Sequence, residues 1–376
     1  MIQKVGILCT MINGFGRRGY YNSQEIGLGR ALASRGADVH IYKGIPKTEA
    51  AAQVVLQDNL RVDYIPMQSL GAHGFFDCRM IDTQLSGLFC FGDQQIFLPH
   101  IYRFCRKRGI VFVPYIGTAH SLHSSVRSWV MNTLFAYGTL KIYRKHPVIA
   151  KTEAAKNELI NLGVKDVTVA PVGLDTEVLR KDFRKYDRGA LRKKHGISSK
   201  DVVICNVSRL SPEKRPLELI DILASIKKKK TFKLIIVGDG ELREQLREKI
   251  RSLRLEGDVI IYPNVPYEDM WEIYTLSDYY LNLNKGEIFG MAIMEAVYYE
   301  TSVAAIAALG PSVTLKGMRG HKICENDEEL VRWLLSPYPS KEELMESSLK
   351  MEKTFTWERC AKSFLEIVKR QTKEFL

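Results

Sequence analysis

Apolar runs of strand length alternate with helix-length segments along most of the chain, and this alternation occurs twice. In the first half the strand-like runs are residues 5–9, 38–42, 60–65, 88–91, 110–116, 148–150 and 167–172. In the second half they are residues 202–207, 232–237, 259–262, 279–283, 303–306 and 322–324. Strands that alternate with helices form mostly parallel sheets through right-handed crossovers. The pattern therefore predicts an α/β fold of two tandem Rossmann-like doubly wound domains.

The length of the chain and one polar stretch indicate where these domains meet. A chain of 376 residues is long for a single core. Residues 180–196 are polar and basic and lack an apolar period. We place the boundary just before this stretch, which gives domains of residues 1–175 and 176–355. Ligands of doubly wound sheets bind beyond the carboxyl ends of the strands, so we expect a site in a cleft between the two domains.

Two glutamates lie eight positions apart in residues 284–299, NKGEIFGMAIMEAVYY. The apolar run between them predicts a buried helix over residues 289–299. Glu295 lies inside this helix, where a charge is unfavourable unless another group pairs with it. Glu287 lies in the preceding loop, so a ligand along the helix start could contact both carboxylates and the free N–H groups. The alternative is a surface helix with two ordinary glutamates.

Two cations follow the first strand of the second half, in the sequence NVSRLSPEKRP. Arg209 and Lys214 would lie at the carboxyl end of that strand. There they could neutralise a diphosphate, which needs neutralisation most when it leaves. The alternative is a solvated, charged loop.

Two loops of the first half also contain candidate ligand groups. Gly14, Gly16 and Gly19 have the spacing GxGxxG after the first strand. Lys43 stands at the end of the second strand, where a dinucleotide-binding domain needs an acid for the ribose, so a nicotinamide cofactor is disfavoured. The glycine loop is then a phosphate contact or a plain tight turn. His120 directly follows a strand and is either near the reaction centre or a packing residue.

Metal and cofactor motifs are absent from the sequence. It contains no DxD, HExxH or paired CxxC pattern, so we expect neither a metal site nor a cofactor. Its seven cysteines fit reduced thiols. The first residues do not read as a signal peptide, and no apolar run is long enough to span a bilayer. These features predict a cytoplasmic protein, with peripheral association at the inner face of the cell membrane left open.

The excess of basic over acidic residues in the chain favours an anionic partner. Its formal net charge is +12 and its pI is near 9.2, which suits nucleic acid, a nucleotide ligand or an anionic membrane surface. No nucleic-acid-binding module is recognisable, so we expect no nucleic acid partner. The helix after His120 contains Trp129 and Tyr137 and could lie in a membrane interface or be buried beside the cleft. The basic runs 180–194 and 227–230 either meet anionic lipid or form solvated faces.

Taken together, these motifs resemble glycosyltransferase family 4, a family of retaining nucleotide-sugar transferases with the GT-B fold. The resemblance covers nearly the whole chain, and its most specific part is E-x7-E, found here in EIFGMAIMEA. SRLSPEK stands in the place of the family's G-R-L-x-x-x-K, and TAHS supports the resemblance. VIAKTEAAKNELINLGVKDVTVAPVGLDTEVL is similar to the family's interdomain passage, and FTWERCAKSFLEIV to its closing helix.

The resemblance implies a role for each candidate residue. The two cations would grip the donor diphosphate, Glu295 would hold the ribose hydroxyls, and Glu287 would meet the transferred sugar. Backbone N–H groups at the helix start would contact the sugar or the β-phosphate, and His120 would lie near the reaction centre. The expected catalytic residues are His120 and Glu287, and the expected donor-binding residues are Gly19, Arg209, Lys214, Phe289, Gly290, Met291 and Glu295.

The implied function is metal-independent, retaining transfer of a sugar, of the hexosyltransferase type. The donor would be a UDP- or GDP-sugar and the acceptor a glycan or lipid-linked molecule, in cell-surface polysaccharide or glycolipid biosynthesis. Residues 1–175 would form the acceptor side, residues 176–355 the donor side, and residues 356–376 a crossover helix that packs on the first domain. The competing hypotheses are a nucleotide-sugar epimerase on the same fold and a non-catalytic glycosyltransferase-like subunit.

The sequence departs from the family pattern in two places. Gly19 is followed by Tyr20 and Tyr21 rather than by a second glycine, which leaves open which N–H group contacts phosphate. After the E-x7-E helix, residues 299–303 (YETSV) replace the usual small-residue turn. The nucleotide end of the pocket is therefore expected to be modified.

Overall fold

The computed structural model describes residues 3–10, 12, 23–71, 73–93, 95–119, 126–227 and 229–374. The chain divides into two compact units. Unit 1 comprises the described residues up to Asp175 together with those from Thr356 onward, and unit 2 comprises Thr176–Phe355. Each unit has its own hydrophobic core around a central sheet.

Unit 1 is built on a nine-stranded sheet of order β3-β4-β2-β1-β6-β7-β8-β9, with β5 paired to β4. All pairs are parallel except those of β3 and β5 with β4. The strands are β1 Lys4–Cys9, β2 Asp38–Pro46, β3 Ala52–Gln57, β4 Leu60–Leu70, β5 His73–Phe75, β6 Gly87–Phe91, β7 Val111–Ile116, β8 Val148–Ala150 and β9 Val167–Val169. The antiparallel strands β3 and β5 were not predicted, because each belongs to a hairpin at the rim of the sheet rather than to the βαβ alternation.

The helices of unit 1 before its boundary are α1 Gln24–Ala33, α2 Leu98–Lys107, α3 Val126–Leu134, α4 Leu140–Tyr143 and α5 Glu153–Asn161. The sequence predicted one long helix where α3 and α4 lie. A π-helical turn, Phe135–Thr139, separates them instead. Such a turn inserts extra backbone into a helix and shifts which side chains share a face.

Unit 2 has a fully parallel six-stranded sheet of order β12-β11-β10-β13-β14-β15. Its strands are β10 Val202–Val207, β11 Phe232–Val237, β12 Val259–Tyr262, β13 Tyr279–Asn282, β14 Ser302–Ile306 and β15 Lys322–Cys324. Its helices are α6 Arg188–Lys194, α7 Pro216–Lys227, α8 Arg243–Ser252, α9 Met270–Leu276, α10 Met291–Tyr298, α11 Leu309–Thr314, α12 Asp327–Leu335 and α13 Lys341–Thr354. Two Rossmann-like α/β sheets confirm the predicted fold class.

The helix that contains Glu295 is shorter than predicted. It was expected over residues 289–299, but α10 covers only Met291–Tyr298. Gly290 precedes it with a φ of 86°, a left-handed conformation that ends regular backbone and favours glycine. Phe289 and Gly290 are therefore loop residues whose N–H groups lie outside the helix.

The basic stretch of residues 180–196 is more ordered than predicted. It forms a 3₁₀ turn, Phe183–Lys185, followed by α6. Several of its cations are already engaged within unit 2, since Arg184 pairs with Glu300 and Arg192 with Asp278. This pairing disfavours the hypothesis that the stretch serves anionic lipid.

Residues after Thr356 form one long helix, α14 Trp357–Glu374, which completes unit 1. The ring of Phe364 meets that of Phe89 in the sheet edge to face, with centroids 5.4 Å apart. Gly87 leaves room for Val368, because a Cβ at Gly87 would lie 2.4 Å from a Val368 methyl group. Within the described ranges, no helix is both long and apolar enough to cross a bilayer.

Candidate functional site

Two neighbouring strands of unit 2 bring the predicted site loops together. β10 and β13 are adjacent and parallel, so their carboxyl ends lie at the same edge of the sheet. The Asn206 amide near the end of β10 donates to the Leu281 carbonyl of β13 over 2.9 Å, which ties the two strands together. The loop after β10 leads through a 3₁₀ turn to Lys214, and the loop after β13 leads to Glu287.

The Glu287 carboxylate receives three donors on a single oxygen. Lys214 Nζ lies 2.9 Å from Glu287 Oε2, and the side-chain amides of Asn282 and Asn284 donate to the same oxygen over 3.3 and 3.2 Å. Within the described part of the chain, Oε1 accepts no hydrogen bond. The arrangement fixes the carboxylate and leaves its second oxygen available for a ligand.

The environment keeps Glu287 ionised. Burial by itself would raise the pKa of this carboxyl group, but the Lys214 charge and the donors on Oε2 outweigh burial, and the pKa is lowered. Glu287 is therefore a hydrogen-bond acceptor at neutral pH. A group with a lowered pKa is poorly suited to donate a proton there.

Arg209 is placed differently from Lys214. Its side chain is 58% exposed, and its guanidinium donates to Glu213 over 3.1 Å. Glu213 also accepts from the Ser211 hydroxyl over 2.7 Å. The structure therefore joins Lys214 to Glu287, and it leaves Arg209 on the solvent side of its loop.

The backbone before α10 presents N–H groups without acceptors. Among the described residues, the amides of Phe289, Gly290 and Met291 donate to no acceptor, because the first helical bonds run from Ile293 and Met294 to the Gly290 carbonyl. Free N–H groups at a helix start carry a positive partial charge. Such a group of amides can bind a phosphate or a sugar oxygen.

Glu295 is held by two tyrosines. It is 6% exposed, and its Oε2 accepts a hydrogen bond from the Tyr274 hydroxyl over 2.9 Å. The Tyr267 hydroxyl donates to Oε1 over 3.3 Å. Burial, and then the Glu295 charge, raises the pKa of Tyr274 well above its ordinary value, so this hydroxyl stays a donor. Two phenols are thus among the partners of this buried charge.

The unusual turn after α10 supports Tyr274. Tyr299 stacks on the Tyr274 ring with centroids 5.8 Å apart and planes 11° apart. The Thr301 hydroxyl donates to the Tyr274 carbonyl over 2.7 Å. The Tyr299 hydroxyl accepts from the backbone N–H of Arg180 over 3.0 Å. Residues 299–303, where the sequence departs from the family pattern, therefore hold the ring and the backbone of Tyr274. Tyr274 in turn orients Glu295.

Two predicted site residues, Gly19 and His120, lie outside the described residues. The backbone just before His120 is held by carboxylates, since Asp93 accepts from Gly117 N over 2.5 Å and Glu158 accepts from Ala119 N over 3.0 Å. Lys43, whose position argued against a dinucleotide cofactor, is buried and pairs with Glu25 at 2.5 Å. No three His, Cys, Asp or Glu side chains of the described ranges group as a metal site would require.

Sequence reasoning missed four side chains of the site. Asn282 and Asn284 were detectable in principle, because polar residues at the end of a buried strand are unusual. Tyr267 and Tyr274 offered no such signal, since apolar and aromatic residues at helical spacing usually indicate a core. The missed residues that contact the two glutamates are Asn282, Asn284, Tyr267 and Tyr274.

Comparisons with known proteins identify the fold. Two solved structures match nearly the whole chain: a sucrose-phosphate synthase from Thermosynechococcus elongatus (TM-score 0.76, 15% identity, 99% of this chain and 100% of that one) and Anabaena HepE in complex with UDP and glucose (TM-score 0.66, 17% identity, 99% of each chain). The fold is GT-B. At these identities the likeness concerns the GT-B fold alone.

The family match lies in unit 2. Residues 187–344 match the family described as glycosyl transferases group 1. Lys214, Glu287 and Glu295 all lie within it.

Two relatives differ in how much of their length is matched. The alpha-monoglucosyldiacylglycerol synthase of Streptococcus pneumoniae is 25% identical over 42% of this chain, and the match spans only 36% of that protein. The D-inositol 3-phosphate glycosyltransferase of Jonesia denitrificans is 22% identical over 98% of this chain and 96% of that protein.

Proposed function

We propose that the protein is a retaining glycosyltransferase that moves a sugar from a UDP- or GDP-sugar to a glycan or lipid-linked acceptor. Unit 2 would bind the donor and unit 1 the acceptor. The group 1 match over residues 187–344 supports sugar transfer. The UDP and glucose bound to Anabaena HepE support a nucleotide-sugar donor.

One observation carries the proposal. The Lys214–Glu287 pair and the amides of Phe289, Gly290 and Met291 belong to loops at one edge of the unit 2 sheet. This edge offers a cation, an ionised acceptor and free N–H donors together. A sugar diphosphate needs all three, because its phosphates are anionic and its sugar hydroxyls are donors.

The chemistry follows from these groups. An ammonium group has three N–H donors, and Glu287 uses one of those on Lys214, so the others can bind phosphate oxygens. As the bond to the leaving diphosphate breaks, charge grows on its oxygens, and a fixed cation stabilises that charge. Glu287 Oε1 would accept a hydrogen bond from a sugar hydroxyl. Glu295 would accept from the ribose, and Arg209 would approach the diphosphate from solvent.

The finer assignments are also part of the proposal. Retention without a metal would follow if the leaving phosphate itself assists deprotonation of the acceptor, with His120 near the reaction centre. The name of the Streptococcus pneumoniae relative, an alpha-monoglucosyldiacylglycerol synthase, supports a lipid-linked acceptor. We place the protein at the cytoplasmic side of the membrane, in polysaccharide or glycolipid biosynthesis.

A panel of UDP- and GDP-sugars, measured by thermal shift and then by calorimetry, tests donor binding. We expect one donor to raise the melting temperature, since a ligand that binds only the folded state stabilises it. Lys214→Met should weaken the binding of that donor by roughly tenfold or more, because charge-assisted hydrogen bonds contribute about 1.5–3 kcal/mol. Lys193→Met, at an exposed lysine of α6, is the matched control and should bind donor normally.

Product analysis then separates the competing functions. A transferase consumes donor in proportion to glycosylated acceptor. Release of free nucleotide with an altered sugar and no acceptor would instead identify an epimerase. If no donor in the panel binds, a non-catalytic subunit becomes the better description. If Lys214→Met binds the donor as tightly as the unchanged protein does, the assignment of the donor site to Lys214 is wrong.

A further inference from the structure

A long stretch of unit 1 carries cations and no acids. Between Asp93 and Glu153 the sequence contains nine Lys or Arg residues and neither Asp nor Glu. The chain as a whole has 55 Lys or Arg against 43 Asp or Glu, so an acid-free stretch of this length is a strong local departure. The stretch includes α2, α3 and α4.

The helices in this stretch expose large apolar side chains. Trp129 is 70% exposed and Tyr137 is 73% exposed, and Val130 and Leu134 are also exposed. On the opposite side, Phe135, Leu140 and Tyr143 are buried in the core of unit 1. The segment is therefore anchored by one apolar face and presents a second one to solvent.

Cations border the exposed face. Lys141 Nζ lies 5.9 Å from the centroid of the Tyr137 ring, one helical turn away. Lys145 is exposed one turn further on. Among the described residues, neither lysine forms an ion pair with an acid.

The end of α2 adds further charge beside α4. The Tyr102 hydroxyl of α2 and His146 Nε2, just after α4, lie 2.7 Å apart, so the two helix ends are neighbours. Arg106, Lys107 and Arg108 are exposed at the end of α2. These cations therefore lie near the end of α4.

We propose that Trp129, Val130, Leu134 and Tyr137, bordered by Lys141 and Lys145, form a docking surface for an anionic lipid bilayer. Trp and Tyr rings favour the boundary between headgroups and acyl chains, where an apolar body and a polar tip are both satisfied. Basic side chains at the same level meet the negative headgroups. The inference concerns unit 1 and does not depend on the donor site proposed above.

The combination of groups favours lipid over other anionic partners. A nucleic-acid surface would also use the cations, but it would not account for exposed Val130 and Leu134 beside them. The basic stretch of residues 180–196 makes the contrast clear, because there Arg184 and Arg192 are engaged with acids of unit 2. In contrast, Lys141 and Lys145 pair with no acid in the part of the chain that the structure describes, and Lys141 lies beside the Tyr137 ring.

Trp129 provides a direct readout of docking. Of the other three tryptophans, Trp271 and Trp357 are buried and Trp333 is half-buried. We expect vesicles of phosphatidylcholine with phosphatidylglycerol to shift the tryptophan emission to the blue and to protect it from acrylamide. Vesicles of phosphatidylcholine alone should give a much smaller change, and Trp129→Phe should abolish the signal.

Two variants separate charge from apolar contact. Lys141→Glu/Lys145→Glu should weaken co-sedimentation with anionic vesicles by about tenfold or more, because each basic residue near such a surface contributes roughly a factor of five. Lys193→Glu/Lys200→Glu, with the same change of charge on exposed lysines of unit 2, should bind as the unchanged protein does. Tyr137→Ser should weaken binding, whereas Val55→Ala, at an exposed valine of β3, should not.

Several outcomes would overturn the proposal. The assignment of the surface is wrong if Lys141→Glu/Lys145→Glu and Lys193→Glu/Lys200→Glu lose the same affinity for anionic vesicles, since the attraction would then depend on net charge alone. It is also wrong if the Trp129 emission stays unchanged while the protein sediments with vesicles. Tight binding of a DNA or RNA duplex that depends on Lys141 and Lys145, without vesicle binding, would assign the surface to nucleic acid instead.

Discussion

Removal of one buried hydroxyl tests how the site is held together. In Tyr274→Phe the ring stays stacked on Tyr299 and the backbone carbonyl still accepts from Thr301, because neither contact uses the hydroxyl. Only the 2.9 Å hydrogen bond to Glu295 Oε2 is lost. The variant therefore isolates a single interaction with a buried charge.

The size of the effect follows from the charge and from burial. A hydrogen bond to a charged group contributes about 1.5–3 kcal/mol, and a partner left buried without its donor costs a similar amount. Tyr274 is fully buried and Glu295 is 6% exposed, so water cannot replace the lost donor easily. Tyr267 still donates to the other oxygen of Glu295 and limits the loss. We expect the free energy of unfolding to fall by about 2 kcal/mol.

The same variant should weaken donor binding. If Glu295 holds a ribose, its orientation depends on Tyr274, and we expect the dissociation constant of the donor to rise roughly tenfold, which corresponds to about 1.4 kcal/mol. Chemical denaturation measures the first effect and calorimetry with the donor measures the second. Tyr299→Phe is the control, because it loses a bond to the Arg180 backbone but leaves Glu295 and its donors in place.

The result that would refute this reasoning is specific. If Tyr274→Phe loses less than about 0.5 kcal/mol of stability, the hydrogen bond is not holding a buried charge as argued. If Tyr274→Phe and Tyr299→Phe bind the donor equally well, Tyr274 does not position Glu295 for a ligand.

Two further predictions concern the backbone before α10 and a buried histidine. Gly290→Ala should cost about 1–3 kcal/mol, because the residue has a φ of 86° and a new Cβ would lie 2.7 Å from Ile293 Cδ1. Adding Ile293→Val removes that contact, so it should recover only the part of the stability loss that comes from the clash and not the part that comes from the backbone conformation. Chemical denaturation of the single and double variants measures the difference. Burial lowers the pKa of His321 to about 3, and its Nδ1 accepts from Val303 N. The stability that neutral His321 contributes is therefore present above the ordinary histidine pKa and is lost as the pH is lowered. We expect the free energy of unfolding to fall by about 1–2 kcal/mol between pH 6.5 and pH 5. His321→Gln should remove this pH dependence, which denaturation curves recorded at several pH values would show.

Alternation along the sequence was enough to predict the α/β class and every strand of unit 2. Strand order was not readable from it, because sequence spacing does not say that β10 and β13 are neighbours. The meeting of Lys214 with Glu287 depends on that adjacency. The two residues could therefore be proposed separately as ligand contacts but not as a pair.

Local backbone conformation explains other differences. The apolar run from residue 289 predicted a helix that includes Gly290, but the left-handed backbone there delays the helix to Met291. The partners of Glu295 come from Tyr267 and Tyr274, more than twenty residues earlier in the chain. A buried carboxylate predicts that some partner exists, yet only the packing of α9 against α10 decides which side chain it is.

The path of the chain between the two units has a consequence for synthesis on the ribosome. Leu174 and Thr356 form a parallel bridge, so the chain leaves unit 1 and re-enters it at adjoining positions. All of unit 2 is therefore translated before α14, which supplies Phe364 and Val368 to the sheet of unit 1. The half of the protein that begins first is completed last, and until then its sheet has an uncovered apolar face. During synthesis, unit 1 therefore lacks its final helix until all of unit 2 has been translated.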